Sequence, residues 1–202
     1  MKLYYFADGC SLATHISLRE AGIVPELFAV DVQTRQIANG GGPYPAVNPK
    51  GYVPALVFDD GSMLTENVAL LDWVAQQAGH LKPRSEMERT RQIEALTFIS
   101  TEIHRMFLVY FFMPGEEAKP VLRDSILRRF AHIAERLDTD YMLGDSFSVA
   151  DAFLYVILRW AKMSDMDVPD GFDAYMAQIE QRPTVQAALQ AEGIRPYLAE
   201  AA

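Results

Sequence analysis

The sequence predicts an α/β half built as βαβαββα around a mixed four-stranded sheet, followed by an all-helical half. Three observations carry that expectation. Two strand-like runs flank a helical stretch within the first 32 residues, the pattern of a parallel pair joined by a crossover helix. The turn Asp59-Asp60-Gly61 separates two short apolar runs, as in a hairpin. Beyond residue 83 no strand pattern recurs, and apolar residues follow a helical period.

Lys2 to Phe6 is β-rich and ends on the turn chemistry of Asp8-Gly9. Ser11 to Ala21 places Leu12, Ile16 and Leu18 at helical spacing and stops at Gly22, a natural C-cap. Glu26 to Val32 reads as the second strand. Asn39 to Pro45 is rich in Gly and Pro, with room for one short helix before Asn48-Pro49. Ala55 to Phe58 and Ser62 to Leu64 form the hairpin, and Glu66 to Gln77 is helical. Gly79-His80-Leu81-Lys82-Pro83 has linker composition. The expected division is therefore 1–78, a linker at 79–85, and a helical segment at 86–202. In that segment helices are expected at Glu86 to Phe112, Val121 to Leu137, Ser148 to Met163, Phe172 to Gln181 and Thr184 to Ala191. The third of these is apolar nearly all round and should be buried. Ser148-Val149-Ala150-Asp151 has the form of a capping box at its start.

Composition narrows the function. Half of the 202 residues are apolar, enough for one or two packed domains. A net charge of −9 argues against nucleic acid and against anionic membrane surfaces. No apolar run is long enough to cross a bilayer, and Met1 to Asp8 does not read as a signal peptide. The single cysteine, Cys10, excludes an internal disulfide, and a cytoplasmic protein is the simplest reading. The four histidines form no metal-ligand spacing with each other or with Cys10, so no metal is expected.

The most informative stretch is Val53-Pro54-Ala55-Leu56 with Thr65-Glu66-Asn67 after it. A Pro opening a strand sits at an edge, a bulge or a cis turn. If the Val53-Pro54 bond is cis, Val53 turns its N–H and C=O outward to pair with an extended peptide. Thr65 can cap a helix whose free N–H groups would bind a carboxylate, while Glu66 would accept an ammonium. A peptide edge beside a carboxylate-and-ammonium pocket suits a small peptide such as glutathione, whose γ-glutamyl end looks like a free amino acid.

Several stretches carry a family resemblance: Met1-Lys2-Leu3-Tyr4-Tyr5, Gly9-Cys10-Ser11-Leu12, Val47 to Leu56, Asp60 to Glu66, Thr101-Glu102-Ile103-His104 and Gly144 to Asp151. Together, and in this order, they resemble the glutathione transferases, the bacterial beta class in particular. The resemblance implies a thioredoxin-like N-terminal domain that binds glutathione as co-substrate, an all-α C-terminal domain, a cytoplasmic homodimer and a detoxifying transferase activity. It implies that Cys10 lies against the glutathione sulfur and that His104 stands near it as donor or base. Val53, Pro54, Glu66 and Asn67 would bind glutathione, Arg35 would meet its glycyl carboxylate, and Thr101 would contribute from the long helix. Thr97 departs from the Asn common in relatives, and one residue is inserted near Gly42-Pro43.

The residues themselves leave alternatives. Cys10 at a helix start should have a depressed pKa, or be an inert buried thiol. Tyr5 shares a sheet face with Leu3 and serves either the site or the core. Ser11 is a helix cap rather than a nucleophile. Phe107, Tyr110, Phe111, Phe112 and Trp160 either line an apolar site for the electrophile or pack the core. Two rival functions stand beside the transferase. One is a monothiol disulfide reductase attacking through Cys10, and the other is a non-catalytic binding or regulatory protein of the same fold.

Overall fold

The computed structural model describes residues 1–112 and 115–197; residues 113–114 and 198–202, which include the end of the expected 86–202 segment, lie outside the described residues. Strands β1 (Lys2–Tyr5) and β2 (Glu26–Asp31) pair in parallel, with Leu3 opposite Leu27 and Tyr5 opposite Ala29. Helix α1 (Ser11–Glu20) is the crossover between them. It ends where the sequence places a glycine: Gly22, at φ +75°, donates to the Arg19 carbonyl at 3.0 Å, and Ile23 donates to Leu18 at 2.8 Å. This pair of bonds satisfies carbonyls that a helix end otherwise leaves open.

Two short strands follow, β3 (Gln36–Ile37) and β4 (Gly42–Pro43), then the hairpin of β5 (Ala55–Val57) and β6 (Met63–Thr65). The sheet order is β4-β3-β2-β1-β5-β6. The expected mixed sheet is its β2-β1-β5-β6 core, and β3 with β4 extends it by strands too short to show in a hydrophobic pattern. The single helix expected before Asn48 is instead two 3-10 turns, Ala38–Gly40 and Tyr44–Ala46. Gly40 and Gly42 sit at φ +78° and +84°, and Pro43 and Pro45 lack the amide donor, so no stretch here can propagate an α-helix.

Helix α2 (Asn67–Ala75) starts later than expected. Thr65 closes β6 rather than capping the helix. Glu66 takes the N-cap place at φ 70°, ψ 118°, with no side-chain cap.

The rest is helical. Ser85 caps α3 (Glu86–Phe98), its hydroxyl accepting the Glu88 N–H at 3.1 Å. The rod continues through a π-helical stretch, Ile99–His104, into α4 (Arg105–Phe112). Then come α5 (Lys119–Ala134), α6 (Val149–Met163), α7 (Phe172–Glu180) and α8 (Pro183–Glu192). Every residue of α6 from Val149 to Ala161 is buried. Its start is the capping box foreseen in the sequence. Asp151 accepts the Ser148 N–H at 2.8 Å and the Ser148 hydroxyl at 2.6 Å, and takes the Met142 N–H and the Tyr175 hydroxyl as well. Four donors on one buried carboxylate tie three segments together.

The two halves share one core, and a second belongs to the sheet half alone. Leu12, Ala13 and Ile16 of α1 pack with Phe153, Leu154 and Ile157 of α6 in one cluster, while Leu18 belongs to a second cluster with Leu3 and Leu56 of the sheet. Every α1 residue from Ser11 to Leu18 is buried, because the sheet covers one flank and α6 and α8 cover the other.

Candidate active site

The site is built on the β1–α1 loop, the loop before β5 and the start of α2. Cys10 occupies the N-cap place of α1. Ser11, the first helical residue, is buried and bonds back to Phe6 through its hydroxyl, which accepts the Phe6 N–H and donates to the Phe6 carbonyl, both at 3.1 Å. It ties the helix start to the strand end and does not cap the helix. Gly9 donates to the Phe6 carbonyl at 2.9 Å, and a Cβ at Gly9 would lie 2.8 Å from that same oxygen. Only glycine permits this turn without a shift of backbone.

The Val53-Pro54 bond is cis, and the Val53 carbonyl accepts the Cys10 thiol at 3.6 Å. Among the described residues the Val53 N–H has no partner. Of the free edge expected from the sequence, the N–H is open while the carbonyl is taken by the Cys10 thiol. The loop is held from behind, since the Tyr52 carbonyl accepts the Tyr44 hydroxyl and the Asn48 amide, each at 2.8 Å. Arg35 is exposed at φ +55°, with a guanidinium nitrogen 3.8 Å from where a Cβ on Gly51 would be. That puts its charge at the edge of the same loop.

Glu66 and Asn67 stand at the head of α2. Lys50 donates to Glu66 at 2.7 Å and to the Thr65 hydroxyl at 2.9 Å, so a cation already sits on the carboxylate. The sequence reading did not find this pair; basic and acidic residues 16 positions apart meet here only because the β5–β6 hairpin folds back. Asn67 accepts the Thr14 hydroxyl at 2.7 Å, and its amide nitrogen is buried without a partner among the described residues. Thr101 is not gathered with these groups: it is exposed and its hydroxyl bonds to the Thr97 carbonyl one turn back, at 3.0 Å.

The thiol's electrostatics correct the sequence expectation. Cys10 keeps some accessible surface, yet burial pushes its thiol up to about 12. Its own amide N–H and that of Ser11 pull the other way, as a helix start should, and desolvation wins. A thiol donating to a carbonyl is the protonated form.

His104 lies at the end of the π-helical stretch, against Trp160 at 5.3 Å and Phe153 at 5.7 Å between ring centroids. Burial first, then the neighbouring Arg105, lowers it to about 4, so it is neutral at pH 7. Its Nε2 is buried without a partner, and no hydrogen bond joins it to Cys10 among the described residues. Trp160 and Phe107 are buried; Phe107 stacks on Phe111 and Trp160 meets it edge-to-face, and Phe111 is 40 % exposed. Tyr110 lies edge-on to Phe111 and under Lys119, and Phe112 points into solvent. Of the five aromatics only Tyr110, Phe111 and Phe112 have surface to offer a ligand. Tyr5 resolves toward the core. It packs with Leu3, Leu18 and Leu70, and burial, with Glu192 adding to it, raises its pKa.

The family models for the glutathione S-transferase N-terminal and C-terminal domains match residues 13–84 and 86–191. The chain is 40 % identical to glutathione S-transferase GstA of Escherichia coli O157:H7, over 96 % of this chain and all of the relative. It belongs to the glutathione S-transferase family. Among solved structures of that family, the ternary complex of BphK, a bacterial GST, superposes with a TM-score of 0.91 at 40 % identity, covering 96 % of this chain and all of that one. A bacterial beta class glutathione S-transferase of Sphingomonas chungbukensis gives 0.87 at 38 % identity, with the same coverage. As in the sequence reading, this glutathione S-transferase brings the Cys10 loop, the cis-Pro loop and the α2 start together. What that reading missed are the charges behind them, Asp8, Lys50 and Arg159, because nothing in local sequence pairs residues 151 apart.

Proposed function

We propose that this transferase binds glutathione across the Val53 loop and the α2 start, and conjugates its thiolate to an apolar electrophile presented by the helical half. The observation that carries the reading is the Cys10 thiol donating to the carbonyl of the residue before the cis-Pro. A peptide paired with Val53 would set its cysteine beside that thiol. The γ-glutamyl ammonium would replace Lys50 on Glu66, its carboxylate would meet the α2 N-terminus and the unpartnered Asn67 amide, and Arg35 would meet the glycyl carboxylate. Cys10, kept protonated by burial, would donate its S–H to the glutathione thiolate. Stabilising the thiolate and holding it near the electrophile is the catalysis. Neutral His104, with its Nε2 unpartnered, would relay or accept a proton, and Phe111 with Tyr110 would form the electrophile's wall.

A disulfide reductase would need Cys10 itself as thiolate, which its environment opposes. Residues 1–78 would form the glutathione unit and 86–202 the electrophile unit, joined by 79–85. We further place this transferase in the cytoplasm as a detoxifying homodimer, acting without metal, nucleic acid or membrane. Exposed Met87 and Ile93 on α3 support the dimer, and a net charge of −9 disfavours nucleic acid. Among the described residues no helix is long and apolar enough to cross a membrane. The test is calorimetry with glutathione and conjugation to an aryl halide, in wild type and in Cys10→Ala. Binding, with conjugation slowed but still measurable in the mutant, is expected. Loss of conjugation at unchanged affinity would make Cys10 a direct participant.

A further inference from the structure

We propose that Asp8 and Arg159 are a positioning pair, through which the helical half fixes the loop that carries Cys10. The inference rests on the reading of Cys10 as the group that holds the glutathione thiolate. Asp8 stands two residues before the thiol, in the left-handed region at φ +57°. Every polar group it has is held by the helical half. Its carboxylate takes the Arg159 guanidinium in a fork, Nε to Oδ1 at 2.7 Å and a terminal nitrogen to Oδ2 at 2.9 Å. Its carbonyl accepts the Trp160 indole at 2.8 Å, and its N–H donates to Glu192 at 3.3 Å.

Arg159 is itself fixed. It is 3 % exposed, lies 3.6 Å from Glu180, and donates to the Tyr155 hydroxyl and the Arg195 carbonyl at 3.2 Å each. Glu192 is clamped in turn by His15 at 2.8 Å. Without these ties the five-residue loop between β1 and α1 would be free to take several conformations. A planar fork on a carboxylate fixes orientation as well as distance. Trp160 carries the linkage to the other substrate side, since its ring also lies against His104 and Phe111. One pair of neighbouring α6 residues thus sets the thiol loop and backs the aromatic wall.

Cys10 is the chain's only cysteine, so thiol chemistry reads the loop directly. Asp8→Asn removes the charge, keeps the size, and tolerates the positive φ. Arg159→Lys keeps the charge and loses the fork. In ligand-free protein, alkylation of Cys10 by iodoacetamide at pH 8 should rise about tenfold or more in Asp8→Asn, as its pKa drops by at least about one unit toward that of a free thiol. For conjugation, kcat should fall about tenfold while the KM for glutathione stays within about twofold, since Val53 and Glu66 are untouched. Arg159→Lys should fall between mutant and wild type. Trp160→Phe, which keeps a ring on His104 but drops the indole N–H, should shift the alkylation profile the same way, and it serves if Asp8→Asn does not fold. Folded variants with wild-type alkylation profiles and wild-type kcat overturn the proposal. If alkylation shifts as expected but the wild-type protein conjugates nothing, the positioning pair stands and the proposed role of Cys10 falls.

Discussion

Replacing Glu66 by Ala tests the glutathione site most directly, and the structure sets the size of the effect. In the complex the carboxylate would accept the ligand ammonium, a hydrogen bond between charges worth about 1.5–3 kcal/mol. Without ligand it already holds Lys50 at 2.7 Å, an exposed pair worth about 0.2–1 kcal/mol. Binding exchanges one cation for the other, so the net loss in Glu66→Ala should be about 0.5–2.8 kcal/mol, or roughly 2- to 100-fold in Kd. The same exchange gives a second expectation of opposite sign. Lys50→Met removes the competitor and should tighten glutathione by up to about fivefold, with no effect in the Glu66→Ala background. Stability should hardly move, because Glu66 is exposed and Ala must adopt the same positive φ. The assay is titration calorimetry on the four proteins of the cycle at low and moderate salt. Unchanged affinity in a folded Glu66→Ala protein would refute the placement of the γ-glutamyl group. Weaker binding in Lys50→Met would make Lys50 a ligand rather than a competitor.

Three further outcomes are expected. Because burial pushes Cys10 up to about 12, its alkylation rate in the ligand-free protein should still be climbing at pH 10; a midpoint below that of a free thiol would restore the depressed pKa first read from the helix start. His104, held near 4 when its unfolded value is close to 6.5, is neutral in the fold where the unfolded chain takes up a proton, so stability is complete above 6.5 and is lost as pH falls toward 4. At pH 5 the loss is about 2 kcal/mol, and denaturant titrations at pH 7.5 and 5 should show it shrinking by that amount in His104→Gln; an identical pH dependence would mean the ring is solvated. Asp151→Ala strands the Met142 and Ser148 amides and the Tyr175 hydroxyl, and should cost at least about 3 kcal/mol in chemical unfolding; a cost near 1 would reduce the motif to an ordinary helix cap.

The features legible in sequence share a short range. Gly22 as a helix stop, the Ser148–Asp151 box and the buried face of α6 are each decided within a few residues, and each is in the structure as read. The Val53-Pro54 turn was legible because proline admits few backbone states. Three things escaped. The strands β3 and β4 are two residues each, too short for any period to register. The start of α2 slipped because Glu66 adopts φ 70°, a backbone uncommon for any residue other than glycine and unlike the extended one usual at a helix start. The Cys10 pKa went the wrong way because a dipole can be read from position, whereas desolvation depends on what packs around the sulfur.

Helix α1 has no solvent side between Ser11 and Leu18, and its consequence is mechanical. Two packed bodies that merely touch can swing about a hinge, and many enzymes admit substrate that way. Here the helix behind the thiol loop is a common wall: Leu12 and Ile16 fill one core and Leu18 the other, and Arg182, just before α8, grips Glu20 at its far end with bonds of 2.7 and 2.9 Å. Opening the halves by even a few ångströms would flood the cluster that α1 shares with α6. Substrates must therefore enter, and product leave, by motion of side chains and rims such as exposed Tyr52 and Phe112, with the frame standing still around them.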